Sequence, residues 1–202
     1  MASAARIRMD PEERKVRLRG VARTVFASNG YNATGLVEVA DRAGVSKGLL
    51  YHYYPNGRPE LYVAVMDDVY EELLAAVRPA LQAPFRVERR LELFVEAAVD
   101  FFGAHNDAYR LLFREPPGSG EADIVNRVAA VEVSLAGELA KAIAATAASA
   151  DQITIVSFGI IGFLLHASNL FVEHRVDRAT TIAATTAFIA AGVVDLEGRA
   201  AP

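Results

Sequence analysis

The sequence predicts an all-α protein: a small N-terminal head of three helices, arranged as a helix-turn-helix, followed by a larger helical C-terminal body, with about nine helices in all. Three observations predict this class. Apolar residues recur at helical spacing along most of the chain. Residues typical of helix starts and ends interrupt that spacing repeatedly. No stretch alternates apolar and polar residues as a half-buried strand does.

The first helix is predicted to follow an arm formed by residues 1–9. Asp10 is a favourable N-cap, Pro11 suits the first helical position, and Glu13 stands where a capping box places its carboxylate. Gly30 ends the helix, because glycine adopts the left-handed conformation that such an end requires.

Two short helices joined by a tight turn follow. Thr34 is predicted to cap the first, over roughly residues 35–42, and Ser46 the second, over roughly residues 47–53. The free N–H groups and positive dipole at the start of the second helix suit contact with a phosphate or a base edge.

Three residues have the spacing of a helix-turn-helix core. Ala40 is small where the helices cross, Gly44 tolerates positive φ in the turn, and Leu50 faces back into the crossing. The outward residues of the second helix are then available to DNA. They are Lys47, Gly48, Leu49, Tyr51, His52 and Tyr53.

Six further helices are predicted in the body from periodicity and flanking breakers. They cover roughly residues 58–78, 86–104, 106–114, 121–147, 151–174 and 177–194. Pro79 and Pro84 are expected to bracket the exit of the first of them, and Asn106 to cap the third. We place the domain boundary after residue 57, so that residues 1–57 form the head and residues 58–202 the body.

Charge is distributed unevenly between head and body. The formal net charge is −4, yet residues 1–60 carry ten Lys and Arg against six Asp and Glu, whereas residues 61–202 carry 11 against 19. A basic head on an acidic body is expected where only the head meets phosphates. The alternative is that the charge is uneven by chance, so this asymmetry serves as supporting evidence beside the helix-turn-helix motif.

The segment around the two short helices strongly resembles the signature of the TetR family of helix-turn-helix regulators. The resemblance covers about residues 12–65 and rests on the aromatic, Gly and Thr residues of segment 26–34 and on the block Ala43-Gly44-Val45-Ser46-Lys47-Gly48-Leu49-Leu50-Tyr51. It implies a homodimeric transcriptional regulator that binds a palindromic operator in double-stranded DNA and senses a small effector. The DNA-binding residues that it implies are Thr34, Ser46, Lys47, Gly48, Leu49, Tyr51, His52, Tyr53 and Arg58.

Two positions depart from the family pattern. Leu49 stands where the family often has Thr, which removes one polar base contact. Tyr54 stands where Phe is usual, and we expect its ring to pack inward while its hydroxyl finds a partner or water.

Two charge-free stretches near the C-terminus predict a dimer interface. Residues 152–172 and 179–194 lack charged side chains, and one chain has little material to cover both, so we expect them to pair with a second copy in a four-helix interface within about residues 152–194. The alternative is that they fill one monomer's core. The first stretch is long enough to span a bilayer, but polar residues interrupt it and no anchoring residues flank it. We therefore expect no membrane and a cytoplasmic location.

The body is expected to hold a cavity for a small, largely apolar effector. The candidate lining residues are Phe94, Phe101, Phe102, Tyr109, Phe113, Phe158, Phe163 and His166. The alternative is that these residues are structural, because aromatic side chains at helical spacing are more often plain core and a lone His more often has a structural partner than a ligand.

No pattern for catalysis, metal binding or a cofactor occurs in the sequence. The chain has no Cys, its His residues lack the H-E-x-x-H spacing, and no nucleophile elbow, P-loop or Rossmann fingerprint is found. We interpret the chain as a repressor that an effector releases from its operator. Two alternatives stay open: an activator or ligand-free architectural binder with the same head, and a helical lipid or small-molecule carrier or enzyme with a vestigial head.

Overall fold

The computed structural model describes residues 10–114, 121–144 and 148–198, and it describes the backbone alone for 114 and 193–198. These residues form nine α-helices and a π-helical turn, and no strand is found among them. The predicted arm, residues 1–9, lies outside the described residues. The helices are α1 (Pro11–Asn29), α2 (Leu36–Ala43), α3 (Lys47–Tyr53), α4 (Arg58–Leu81), α5 (Val87–Ala104), α6 (Asn106–Tyr109), α7 (Ala122–Ile143), α8 (Ala150–Val172) and α9 (Arg178–Gly198).

The start of α1 has the predicted capping box. The Asp10 carboxylate accepts a hydrogen bond from the Glu12 N–H at 3.1 Å, and the Glu13 carboxylate accepts one from the Asp10 N–H at 3.4 Å. The helix ends at Gly30, whose φ of 77° is costly for residues with a Cβ. The local pattern therefore determined both ends of this helix, as predicted.

Helix α4 joins the two ends of the molecule, because it packs against α1 on one side and against α5 and α7 on the other. Its buried residues recur every three or four positions and form one continuous core with both sets of neighbours. Helix α4 continues to Leu81, three residues past the predicted end at about Arg78, so it ends between Pro79 and Pro84 as expected. Because proline has no N–H, Pro79 removes the hydrogen bond to the carbonyl four residues earlier, and the helix ends two residues later.

The segment from residue 106 to 114 differs from the single helix that was predicted. Only Asn106–Tyr109 is α-helical, the N-cap is His105 rather than Asn106, and Arg110–Arg114 form a π-helical turn. In that turn the carbonyl of Leu111 accepts a hydrogen bond from the buried Tyr62 hydroxyl of α4 at 3.0 Å. This tertiary bond gives the wider turn a partner that the sequence pattern alone does not reveal.

The last three helices are α7, α8 and α9, and each packs against other helices of the body. Helix α8 packs against α5, α7 and α9, and α9 packs against α5. A capping box of Ser149 and Gln152 begins α8, with bonds of 3.3 and 2.8 Å. By length and composition α8 is apolar enough to cross a membrane, and only 33% of its most apolar window is buried within this chain.

Candidate nucleic-acid interface

The two short helices cross as a helix-turn-helix. Ala40 and Leu50 are 1% and 0% exposed, so both side chains lie in the crossing. Gly44 has φ 67°, and its N–H caps the end of α2, while the Val45 N–H donates to the Ala40 carbonyl at 3.0 Å. The positive φ explains why glycine occupies the turn, since a Cβ is strained in that conformation.

Ser46 begins α3 in the predicted way. Its hydroxyl accepts a hydrogen bond from the Leu49 N–H at 3.1 Å, which leaves other N–H groups of the first turn facing outward. Beside it, a Cβ at Gly48 would meet nothing nearer than the Ser46 Oγ at 4.0 Å. The start of α3 is therefore open to the close approach of another backbone.

Most of the predicted α3 contacts lie on the surface. Lys47, Gly48, Tyr51 and His52 are exposed, whereas Leu49 and Tyr53 are partly buried. The Lys47 ammonium lies 5.7 Å from the centroid of the Tyr51 ring, which orients the cation without burying it. The outward face of α3 thus combines a cation, an imidazole and a phenol, which are groups that donate hydrogen bonds to phosphates and base edges.

The prediction that Thr34 caps α2 is wrong. Thr34 is 2% exposed and its hydroxyl donates to the Gly30 carbonyl at 2.7 Å, while Gly35 occupies the N-cap of α2 without a side-chain hydrogen bond. The hydroxyl closes the loop behind it, as Thr side chains often do in turns. Thr34 therefore does not present its side chain at the surface.

Arg58 is engaged within the protein. Its Nη1 donates to the Asn32 carbonyl at 3.0 Å and lies 3.5 Å from the Thr34 carbonyl, and its guanidinium stacks 4.5 Å from the Tyr31 ring centroid. These contacts join the start of α4 to the loop before α2. In this structure Arg58 positions that loop, and the phosphate contact that the resemblance implied for Arg58 stays a prediction.

Tyr54 follows the prediction for its ring. It is 6% exposed, and burial raises the pKa of its hydroxyl while the nearby guanidinium of Arg19 opposes that shift. A Tyr at this position therefore keeps the inward packing expected of Phe.

Three cations of α1 that were not among the predicted site residues lie near the helix-turn-helix. Arg14 donates from Nη1 to the Tyr53 hydroxyl at 3.2 Å, Lys15 lies 5.7 Å from the Tyr53 ring centroid, and an Arg17 nitrogen lies 3.9 Å from the position of a Cβ at Gly44. The close spacing of basic residues in α1 is the sequence signal that could have identified them.

The predicted effector-site residues do not surround one cavity. Phe94, Phe101, Phe102 and Tyr109 are buried and Phe113 is partly buried. Phe158 is 42% exposed, and His166 is exposed, with its Nδ1 2.8 Å from the Gly162 carbonyl. The prediction that these last two line an internal cavity is wrong, because α8 turns that side outward.

Two cavities touch members of the predicted set. One, of about 10 Å³, lies among α4, α5, α7 and α8 and is lined by residues that include Phe94 and Phe102. The other, of about 210 Å³, lies between α8 and α9 and includes Phe163, whose ring stacks on Phe188 with centroids 4.0 Å apart. The first is near the size of one water molecule, so this cavity has no room for a metabolite in the closed arrangement.

Metal-binding side chains are dispersed. Across residues 10–114, 121–144 and 148–198, no three His, Asp or Glu side chains approach one another closely enough to hold an ion.

Comparisons with known proteins match the helix-turn-helix region to a family. Residues 18–65 match the family described as bacterial regulatory proteins, tetR family. The HTH-type transcriptional activator FasR of Mycolicibacterium smegmatis is 41% identical over 106 residues, which are 52% of this chain and 48% of that protein. The HTH-type transcriptional repressor SCO4008 of Streptomyces coelicolor is 30% identical over 115 residues, 57% of this chain and 56% of that protein. The chain thus spans about half the length of the curated relatives it matches.

Solved structures share the fold over nearly the whole chain. A TetR-like transcriptional regulator from Rhodococcus sp. RHA1 superposes with a TM-score of 0.74 at 19% identity, covering 93% of this chain and 99% of that one. A tetR-family transcriptional regulator from Streptomyces coelicolor superposes with a TM-score of 0.68 at 22% identity, covering 93% of this chain and 90% of that one. At such identities these likenesses concern the fold.

Proposed function

We propose, from an N-terminal region that belongs to the tetR family of bacterial regulatory proteins, that this chain is a sequence-specific DNA-binding transcriptional regulator and not an enzyme. The observation that carries the proposal is the Ser46-capped helix α3, whose polar outward face and open N-terminus stand within the residues that match the family. The relatives found are named as transcriptional regulators. Residues 1–57 serve as the DNA-binding head and residues 58–202 as the body.

A homodimer is the proposed active form. Helices α8 and α9 expose large apolar side chains on one side of this chain, with Ile155, Phe158 and Phe188 at 71%, 42% and 53% exposure. Pairing these helices with the same helices of a second copy, within about residues 152–194, buries those side chains around a two-fold axis. Two recognition helices about 34 Å apart then match successive major grooves of a palindromic site. A DNA-bound role places the protein in the cytoplasm.

A small, largely apolar effector is proposed to act on the body. The core cavity among α4, α5, α7 and α8 is nearly closed, so an effector there must move these helices apart, and α4 leads directly to the head. The effector favours the separated arrangement, whose heads no longer fit the operator spacing. Straight-chain fatty acids and single-ring aromatic compounds are suitable probes, because both are mainly apolar with one polar end.

The direction of regulation is proposed to be repression released by the effector. The relatives do not decide this, because FasR is named an activator, while SCO4008 and KstR2 of Rhodococcus jostii are named repressors. A promoter-reporter fusion with and without the chain distinguishes the two directions. Lower reporter output in the presence of the chain supports repression, and higher output supports the activator alternative.

The DNA-binding role is tested by exchanging one lysine at a time. Lys47→Ala on α3 is expected to weaken operator binding by at least about fivefold, since one good base or phosphate contact contributes about 1–3 kcal/mol. Lys141→Ala on α7 removes the same charge from an exposed side chain far along the body and serves as the matched control. Equal affinities of both variants and the wild type would contradict the assignment of α3.

A further inference from the structure

The five cations of helix α1 divide into two groups with different partners. Arg19 and Arg23 point toward the body, where Arg19 pairs with Asp68 at 2.5 Å and Arg23 with Glu72 at 2.7 Å on α4. The other three are placed nearer the N-terminal end of the helix. They are Arg14, Lys15 and Arg17.

Two of these three cations gather around Tyr53, the last residue of α3. The Arg14 Nη1 donates to the Tyr53 hydroxyl at 3.2 Å, and the Lys15 ammonium lies 5.7 Å from the ring centroid. Lys15 also pairs with Glu12 at 3.0 Å, in a contact exposed to solvent. Tyr53, Arg14 and Lys15 are all partly buried, and the Lys15 side chain is 35% exposed.

The third cation, Arg17, lies near the turn between α2 and α3. An Arg17 nitrogen lies 3.9 Å from where a Cβ at Gly44 would stand, beside the turn that leads into the recognition helix. Arg17 is exposed, and none of the described acidic residues pairs with it. Arg14 and Lys15 lie at the last residue of α3, and Arg17 lies near the turn that precedes its first residue. The seven residues of α3 span about 10 Å.

Such an arrangement suits the phosphates that border a major groove. A helix in the groove reads base edges, while cations beside it contact the flanking backbone and set its orientation without reading sequence. We propose that Arg14, Lys15 and Arg17 form a phosphate-binding row beside α3, and that Tyr53 is a positioning residue that orients Arg14. This inference rests on the proposed DNA-binding function and assigns the contact to residues outside the helix-turn-helix.

The row has a measurable consequence in salt dependence. Each phosphate contact contributes about 0.9 to the slope of log affinity against log salt concentration. Arg14→Ala and Arg17→Ala are therefore each expected to lower that slope by about one. Lys15→Ala has a smaller effect, because Lys15 shares its charge with Glu12. None of the three changes alters which DNA sequence is preferred.

The variant Tyr53→Phe distinguishes a positioning role of Tyr53 from direct contact of its hydroxyl with DNA. Tyr53→Phe keeps the ring and removes only the hydroxyl. If Tyr53 acts through Arg14, Tyr53→Phe weakens binding in the wild type but has no further effect in an Arg14→Ala background. If the Tyr53 hydroxyl binds phosphate itself, the effects of the two substitutions add.

The experiment measures fluorescence anisotropy of a labelled mixed-sequence 30-bp duplex, at several salt concentrations between about 50 and 200 mM. Circular dichroism checks the fold of each variant. Arg89→Ala on α5 is the matched control, since Arg89 is an exposed cation with one acidic partner, like Lys15, but lies in the body. We expect the slope to fall for Arg14→Ala and Arg17→Ala and to remain unchanged for Arg89→Ala.

Three results would overturn parts of the inference in distinguishable ways. Wild-type slopes in folded Arg14→Ala and Arg17→Ala proteins would remove the phosphate-binding row while leaving the proposed function intact. Absence of any salt-dependent binding by the wild type would remove the proposed function together with the row. Additive effects of Tyr53→Phe and Arg14→Ala would remove the positioning role of Tyr53.

Discussion

Arg23 of α1 and Asp107 of α6 form an ion pair, with 2.5 Å between Nε and Oδ2. The same guanidinium binds both oxygens of Glu72 on α4, at 2.9 and 2.7 Å. One side chain thus connects a helix of the proposed head with two helices of the body. Since Arg23 is only 18% exposed, its charge depends on these two carboxylates for pairing.

The first prediction concerns this three-helix contact. Arg23→Ala leaves both carboxylates without their cation and is expected to lower the free energy of unfolding by about 1–2 kcal/mol. Asp107→Asn is expected to cost less, because Glu72 still holds the guanidinium. Urea unfolding followed by circular dichroism measures both effects. Equal stability of Arg23→Ala and the wild type would show that the contact contributes nothing.

A second prediction compares two glycines of the head. Gly44→Ala places a Cβ at φ 67° and is expected to cost about 1–2 kcal/mol, and the altered turn weakens DNA binding. Gly20→Ala is the matched control, since Gly20 lies inside α1 and a Cβ there meets nothing within 4 Å. It is expected to stabilise the protein by about 0.5–1 kcal/mol through helix propensity. Thermal unfolding of both variants tests the difference in sign.

A third prediction concerns the apolar face of α8. Ile155→Asp puts a charge at an apolar position of α8 that is 71% exposed and is expected to convert the proposed dimer into monomers, because an unpaired charge resists burial. Phe85→Asp is the control, with a side chain 55% exposed in the loop between α4 and α5. Sedimentation velocity at matched concentrations measures the oligomeric state. A dimer that survives Ile155→Asp would place the interface elsewhere.

A fourth prediction concerns acid sensitivity. The hydrogen bond from Arg178 of α9 lowers the pKa of Asp100 of α5 below its ordinary value of 3.8, with burial opposing the shift. Because the folded-state pKa is depressed, this pair stabilises the fold fully above that ordinary value and loses its effect as pH falls through the folded pKa. Both side chains are half exposed, so solvent screens the pair and its contribution to stability is small.

Asp100→Asn provides the measurement for that prediction. The difference in urea midpoint between wild type and variant is expected to be largest near neutral pH and to shrink below about pH 4. A difference that is constant down to pH 3 would show that the Asp100 charge is not its source.

The features that could be predicted from the sequence are those that neighbouring residues determine. Asp10, Ser46 and Gly44 act on neighbouring backbone groups, so a short stretch of sequence was enough to place the helix ends near them. The all-α class and the helix-turn-helix followed from such local patterns and from the family resemblance.

Interactions between distant segments account for what the sequence did not reveal. Thr34 is turned inward by a loop that Arg58 holds from the start of α4, and the π-helical turn at Arg110–Arg114 has its Leu111 carbonyl bonded by Tyr62, 49 residues away. The outward position of His166 depends on how α8 is rotated against its neighbours. Helical periodicity gave little indication of that rotation, because α8 is apolar on nearly all sides.

Selection of genomic fragments with the purified protein, followed by footprinting of the enriched DNA, tests the central claim most directly. A dimer with two α3 helices predicts protection of a palindrome whose half-sites are centred about 34 Å apart, or a multiple of that spacing. Protection is expected to be lost with Lys47→Ala and retained with Lys141→Ala. No enrichment of any fragment at low salt would contradict the claim that this chain is a sequence-specific DNA-binding regulator.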